Sequence, residues 1–275
     1  MNNIGFMQGR LSPVVNNKIQ AFPYDYWLDE FPIAKKLNLS CIEWTLDYPN
    51  LEKNPLLLAE YKSDIIHISK KNDIKIPSIT LDCCMQRPFW KKQNLIFYSD
   101  LILDLKKIIS SASTIGASIL VVPLVDNGSI ENKFEFNLLK DTITSLYDFL
   151  ELKKVKIAFE SDFSPVNLSD FIKVYNKKFV GINYDTGNSA CLGFDPLEEF
   201  RNYGERIINV HIKDRKINGG TVRLGEGDTK FQEVFNFFNF SDYAGNYIMQ
   251  TARSKNNNHI EELYINISFL ESYIA

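Results

Sequence analysis

Gly181-Ile182-Asn183-Tyr184-Asp185-Thr186-Gly187-Asn188 is followed, after an acidic helix-like run from Asp195 to Tyr203, by Ile207-Ile208-Asn209-Val210-His211-Ile212-Lys213-Asp214-Arg215. Both segments are short apolar runs that end in a polar cluster. Side chains alternate along a strand, so Asn183 and Asp185 share one face of the first run, and His211, Lys213 and Arg215 share one face of the second. A carboxylate and an imidazole at the ends of adjacent strands are the parts from which a divalent-metal site is built on parallel β-structure.

Outward from this pair the same beat repeats along the chain. The strand-like runs are Asn3 to Met7, Ser40 to Trp44, Lys75 to Leu81, Ser118 to Val125, Val155 to Glu160, Val180 to Asp185, Ile207 to Lys213 and Asn246 to Gln250. Helical spacing follows each: Tyr24 to Asn38, Leu51 to Lys71, Leu95 to Ile115, Phe134 to Lys153, Asn167 to Tyr175, Pro196 to Gly204, Lys230 to Phe240 and His259 to Tyr273. A Gly-rich loop from Gly219 to Gly227 precedes the seventh helix. Continuous apolar strands such as Ile119-Leu120-Val121-Val122 suit a parallel sheet covered on both faces. Eight strand-helix units without a linker predict a single (β/α)8 TIM barrel over residues 1–275, with a doubly wound open sheet as the alternative.

Composition bounds the function. With 275 residues, 45% hydrophobic and 24% charged, the chain is able to bury a large core. A net charge of −3 and a pI near 5.7 offer no broad attraction to nucleic acid. Four cysteines, with Cys83 and Cys84 adjacent, have neither a disulfide framework nor zinc-type spacing and read as reduced thiols. No run approaches the ~18 apolar residues of a membrane span, and the first residues lack a signal-peptide pattern. The expectation is a cytoplasmic protein with a small-molecule partner and no nucleic-acid or membrane partner.

A barrel gathers its chemistry where the strands end, at the C-terminal face. Those ends carry Gln8 and Arg10, Glu43, Asp82 and Cys84, Asp126, Glu160 and Asp162, Asp185 and Asn188, His211 with Lys213 and Arg215, and Gln250 with Arg253. Glu160 and Asp185 terminate apolar strands, where an unpaired buried carboxylate is costly, so a metal or cationic partner is expected. A lone histidine is more often a satisfied core residue, but His211 lies among Asn209, Lys213 and Arg215. Glu43 reads equally as a site residue or as a structural acid paired with a cation inside the barrel. Asn188 reads as a ligand contact or a helix cap, and Cys84 as a buried small hydrophobe. Arg10, Arg215, Arg223 and Arg253 fall in loops after strands one, seven and eight, where converging guanidinium groups bind phosphate or carboxylate.

Ile4-Gly5-Phe6-Met7-Gln8-Gly9-Arg10, Phe159-Glu160, Ile182 to Asn188, Val210 to Arg215 and Leu224-Gly225-Glu226-Gly227 together resemble the sugar phosphate isomerase/epimerase group of xylose isomerase-like TIM barrels. The resemblance implies one divalent ion, Mn²⁺, Mg²⁺ or similar, held by Glu160, Asp185, His211 and Gln250. It further implies a carbohydrate substrate contacted by Arg10, Glu43, Asn188, Lys213, Arg215 and Arg253, and a possible homodimer. The implied reaction is isomerisation or epimerisation by a proton moved next to a carbonyl through an enediolate, with Glu160 and Gln250 as the catalytic pair. Gln250 departs from the pattern, since the relatives carry a Glu there and an amide is no general base near neutral pH. A one-base reaction through Glu160 is therefore the simpler expectation. An inverting epimerase needs another proton carrier, the candidates being Cys84, Glu43 or a bound water. Two other readings stay open: a barrel that binds a sugar without turning it over, and a metal-dependent endonuclease of the AP type. The latter is disfavoured by a chain with only His67, His211 and His259.

Overall fold

The computed structural model describes residues 4–48, 50–254 and 256–274. Eight parallel strands close into a barrel: β1 (Ile4–Met7), β2 (Cys41–Leu46), β3 (Ser78–Leu81), β4 (Ile119–Leu124), β5 (Lys156–Ser161), β6 (Val180–Asp185), β7 (Ile207–Ile212) and, after a two-stranded hairpin of β8 (Asp214–Arg215) and β9 (Thr221–Val222), β10 (Tyr247–Met249). Chain order is ring order, and β10 closes the barrel against β1. The open-sheet alternative is thereby excluded. Around the barrel run α1 (Glu30–Lys36), α2 (Lys62–Asn72), α3 (Asp82–Gln86), α4 (Tyr98–Ile115), α5 (Lys133–Ser145), α6 (Tyr147–Lys153), α7 (Pro165–Lys173), α8 (Thr186–Leu192), α9 (Pro196–Tyr203), α10 (Phe231–Phe240) and α11 (His259–Glu271). Among the described residues, no helix is long and apolar enough to cross a membrane.

Where the elements differ from the sequence expectation, local chemistry explains the change. The first helix begins only at Glu30, because Pro32 lacks an N–H and its ring clashes with the carbonyl four residues back, which confines it to a first turn. Residues before it form turns, with the Tyr26 amide on the Pro23 carbonyl at 2.9 Å. The helix expected from Leu51 is three short 3-10 turns that give way to α2 at Lys62, the second opened by Pro55 and capped by Asn54. The run from Phe134 divides at Leu146 into α5 and α6. Asn3, expected to open the first strand, lies outside the described residues. The short helices α3 and α8 start directly on the ends of β3 and β6, too close to the strands to show a period of their own.

The register sorts the side chains. Asn183 pairs with Asn209 and Asp185 with His211, past an irregularity at Ile182/Asn183, so these four share the barrel interior. Beside them Met7, Cys41 and Ile248 pack together as a small apolar cluster, Ile248 in register with His211 and Met7 with Glu43. Gly5 makes that packing possible: a Cβ on it would lie 2.4 Å from Cys41 Sγ and 2.7 Å from the Cys41 carbonyl oxygen. Outside the strands the core is aromatic, with Phe159 against Phe171 and Phe200 stacked on Phe237.

Gly5→Ala is therefore expected to lower the unfolding free energy by about 1–3 kcal/mol, the range for overpacking against groups that cannot retreat. Gly220→Ala, whose Cβ would meet nothing within 4 Å, is expected to stay within about 0.5 kcal/mol of the parent. Urea denaturation midpoints compare the two.

Candidate metal centre

The site is built from inward-facing positions on five strands. Glu43 of β2 is fully buried and accepts from Ser78 Oγ at 2.6 Å and Asn209 Nδ2 at 2.9 Å on one oxygen. Its other oxygen meets His211 Nε2 at 2.7 Å. The opposite ring nitrogen, His211 Nδ1, makes no hydrogen bond, and it faces Glu160 Oε2 at 3.1 Å and Asp185 Oδ2 at 3.9 Å. Among the described residues, Glu160, Asp185 and His211 form the one cluster of three metal-type donors, with one ligand atom of each within 4.8 Å of the others.

Each carboxylate is aimed by its neighbours. Asn188 Nδ2 donates to Glu160 Oε1 at 2.7 Å and Asn183 Nδ2 to Oε2 at 2.8 Å. Asp185 caps α8, its Oδ1 accepting from the amides of Gly187 and Asn188 at 3.0 and 2.8 Å. That leaves Oδ2 for the interior, where Lys213 Nζ takes it at 2.7 Å. Asn188 is thus not the helix cap; it stands in the first turn of α8 and orients Glu160.

Electrostatics are those of a cation site. Burial on its own would hold His211 neutral, but the Glu43 and Glu160 carboxylates outweigh it and raise the imidazole to about 10. The metal-free site accordingly places two positive groups, the imidazolium and Lys213, against three carboxylates.

Gln250 follows β10, its amide still donating to the Ile212 carbonyl at 2.9 Å. Two residues beyond the interior Ile248, it faces the barrel mouth next to Lys213, and its Oε1 is buried without a hydrogen-bond partner. His211 Nδ1, whose proton a metal would displace, and the orphaned acceptor Gln250 Oε1, beside two carboxylates, fit a divalent metal with mixed nitrogen and oxygen ligands. Glu43 would then be the outer carboxylate that fixes the tautomer and orientation of the ligating histidine.

The remaining expected residues fall in other places. Arg10 is 5% exposed and spends its donors on the carbonyls of Thr251 and Ile19 and on Gln20 Oε1, which makes it a brace between the first and last strand loops. Arg215 is held by the Gly219 carbonyl and by Asn188 Oδ1 at 2.9 Å. Arg223 pairs with Glu262 through two 2.7 Å contacts. Arg253 donates to the Ser12 carbonyl but keeps a buried, unpartnered Nε. It lines a cleft of about 590 Å³ with Lys18, Arg223, Glu226, Asn256 and Glu262, between the loops after β1, β9 and β10. Cys84 lies on the far side of α3, against Tyr48, Leu101 and Leu105.

Asp214 is a structural residue that sequence reasoning did not separate from the site cluster. It is 1% exposed and accepts from the amides of Gly225, Gly227 and Thr229, so the Gly-rich loop is folded onto it. A Cβ at Gly227 would fall 1.9 Å from its Oδ1. The Leu224-Gly225-Glu226-Gly227 pattern was the available signal: glycines that close are needed where a backbone wraps a buried carboxylate.

A closed eightfold barrel with a Glu-Asp-His triad at the C-terminal ends of consecutive strands defines a class of metal-type TIM barrels. The chain belongs to the xylose isomerase-like TIM barrel family, whose model matches residues 31–273. It is 24% identical over 187 residues to an inosose dehydratase of Bacillus thuringiensis (strain Al Hakam), covering 58% of this chain and 63% of that protein. It is also 21% identical over 237 residues to the L-ribulose-5-phosphate 3-epimerase UlaE of Escherichia coli (strain SMS-3-5 / SECEC), covering 82% of this chain and 81% of that one. Among solved structures, the IOLI protein with a bound zinc atom superposes with a TM-score of 0.75 at 16% identity over 99% of both chains, a likeness of fold.

Because His211 is protonated in the metal-free protein up to about 10, a metal must displace the Nδ1 proton, and affinity should rise with pH. Titrating metal-free protein with Mn²⁺ between pH 6.5 and 8.5 is expected to show affinity rising about tenfold per pH unit, with release of about one proton, read by calorimetry in buffers of different ionisation enthalpy. Glu43→Gln, which removes the charge that holds the proton, is expected to flatten that slope.

Proposed function

We propose that the chain moves a proton at the carbon next to the carbonyl of a sugar or sugar phosphate, through an enediolate, as a divalent-metal-dependent isomerase or epimerase. The observation that carries this reading is the division of His211: Nε2 is locked by Glu43, and Nδ1 is left open toward Glu160 and Asp185. UlaE, by its name a sugar-phosphate 3-epimerase, and the inosose dehydratase lend support as relatives. A divalent ion held by Glu160, Asp185, His211 and Gln250 would polarise the carbonyl and stabilise the enediolate charge.

The side chains supply the rest. Glu160 is the base: Asn188 and Asn183 hold both its oxygens in place, so the group that takes the proton is oriented before substrate arrives. Asn188 is in turn held by Arg215, which makes Arg215 a positioning residue. Lys213 pairs with Asp185, and with Asp185 given over to a metal its ammonium would be free for a substrate hydroxyl. Gln250 contributes an acceptor atom and no base. The cleft beside Arg253 and Lys18 is the place for the far end of the substrate, and Arg253, which lines it, is the guanidinium placed to meet a phosphate.

In D₂O, metal-loaded protein is expected to exchange the proton at C3 of L-ribulose 5-phosphate or D-fructose, followed by NMR. Glu160→Gln should slow exchange by about 10²–10⁴-fold, the usual size of a general-base contribution; exchange unaffected by that change would remove Glu160 from the chemistry. Gln250→Glu, adding a charged ligand, is expected to tighten Mn²⁺ binding about tenfold or more. Arg253→Ala should erase any preference for the phosphorylated ketose.

A further inference from the structure

Inversion at a carbon needs a second proton-transfer group, and in this chain Gln250 cannot be one. The two side chains that the sequence offered instead are both excluded by position. Glu43 is sealed at 0% exposure with its oxygens committed to Ser78, Asn209 and His211. Cys84 faces α4.

Asp82 remains. It follows Ser78 and Thr80 at the alternating, inward positions of β3 and opens α3 at the barrel mouth. Every other buried carboxylate has a dedicated donor. Glu30 takes the amides of Gly9 and Leu11, Asp47 that of Phe22, and Asp214 those of its loop. Glu135 takes Lys91, and Glu199 takes Ser189, Tyr184 and Tyr203. Asp82 is 7% exposed and, among the described residues, has no hydrogen bond and no ion pair. Its carboxyl oxygens are not sealed off, so among the buried carboxylates Asp82 is the one with no dedicated protein donor and an opening to the barrel mouth, where a substrate carbon is within its reach.

From these observations we infer that Asp82 is the second proton carrier of the site, a catalytic residue that makes the reaction a two-group epimerisation. This inference rests on the reading of Glu160 as base. Glu160 carboxylate takes the proton from the carbon next to the carbonyl and leaves the enediolate. Asp82, as the carboxylic acid, then gives its own proton to that carbon, forming the new C–H bond and leaving Asp82 as carboxylate. The ketose has inverted, Glu160 has gained the proton Asp82 has lost, and exchange with solvent resets both groups. β3 and β5 stand two strands apart round the ring, so the two carboxyls approach the mouth from different directions.

The charge environment suits an acid. Burial, then the carboxylates of Glu160 and Asp47, push Asp82 up to about 7, against the opposing pull of His211 and Lys213. Arg10 also feels the Asp82 charge.

The test uses metal-loaded full-length protein in D₂O with L-ribulose 5-phosphate and D-fructose, and follows two signals by NMR: deuterium entering C3 of the substrate, and appearance of the C3 epimer. Asp82→Asn is expected to keep the substrate exchange that Glu160 drives, within about threefold, and to lower epimer formation at least 100-fold, with metal content and melting temperature unchanged. Asp82→Glu should recover part of the epimer signal. Epimer formation at the parent rate in Asp82→Asn would overturn the role of Asp82 and leave Glu160 standing. Loss of exchange and epimer together at full metal content would assign Asp82 to substrate binding and likewise overturn it. If the unsubstituted protein exchanges neither ketose, the reading of Glu160 as base fails, and the inference falls with it.

Discussion

The contact between Glu43 and His211 is the interaction on which the interior of this barrel depends. It joins β2 to β7 across the barrel, with both side chains sealed from solvent. Taking an imidazolium and a carboxylate out of water costs several kcal/mol for each, and the cost is offset only when every lone pair and proton has a partner. Here Ser78, Asn209 and Asn183 supply those partners, and a continuous polar layer runs from β3 through β7 and β6 to Glu160 on β5. Two atoms of the layer make no hydrogen bond: Asn209 Oδ1, and His211 Nδ1, which faces the carboxylates of Glu160 and Asp185.

The same accounting separates charges that hold the fold from charges that await a ligand. Arg10 stands at the start of the chain's first loop and Glu30 at its end, and both are consumed, the guanidinium by two carbonyls and Gln20 Oε1, the carboxylate by the amides of Gly9 and Leu11. Asp214 is consumed by its own loop. Asp185 divides its oxygens, one for the amides of α8 and one for the interior, so the helix start and the site are set by a single residue. Of the groups with atoms to spare, His211, Gln250, Arg253 and Asp82 lie at or just beyond the C-terminal ends of the strands, the rim on which this scaffold carries its chemistry, while Ser111, His259 and Asn266 lie on the outer helices.

The chain itself determined a good deal. Eight apolar runs alternating with helical spacing pointed to a parallel sheet covered on both faces, and strict alternation put Asn183 with Asp185, and His211 with Lys213, on one face of each run, while the register that joins Asp185 to His211 belongs to the folded sheet. The substitution of an amide at Gln250 was likewise visible as chemistry before any coordinates. Helix starts were less legible, since Pro32 and Pro55 act through the backbone while the apolar spacing runs on past them.

Only the tertiary structure decided what each polar side chain does. Glu43 and His211 are 168 residues apart in sequence, and nothing local to either states that they touch. Arg10 and Arg253 look alike as loop arginines; one is braced on backbone carbonyls and the other keeps a free donor, and that difference arises from how the loops after β1 and β10 fold onto each other. Asp82 had the composition of a site residue but no pattern to single it out. Its distinction is a missing partner, and partnership is a property of packing between strands that the linear order of residues does not contain.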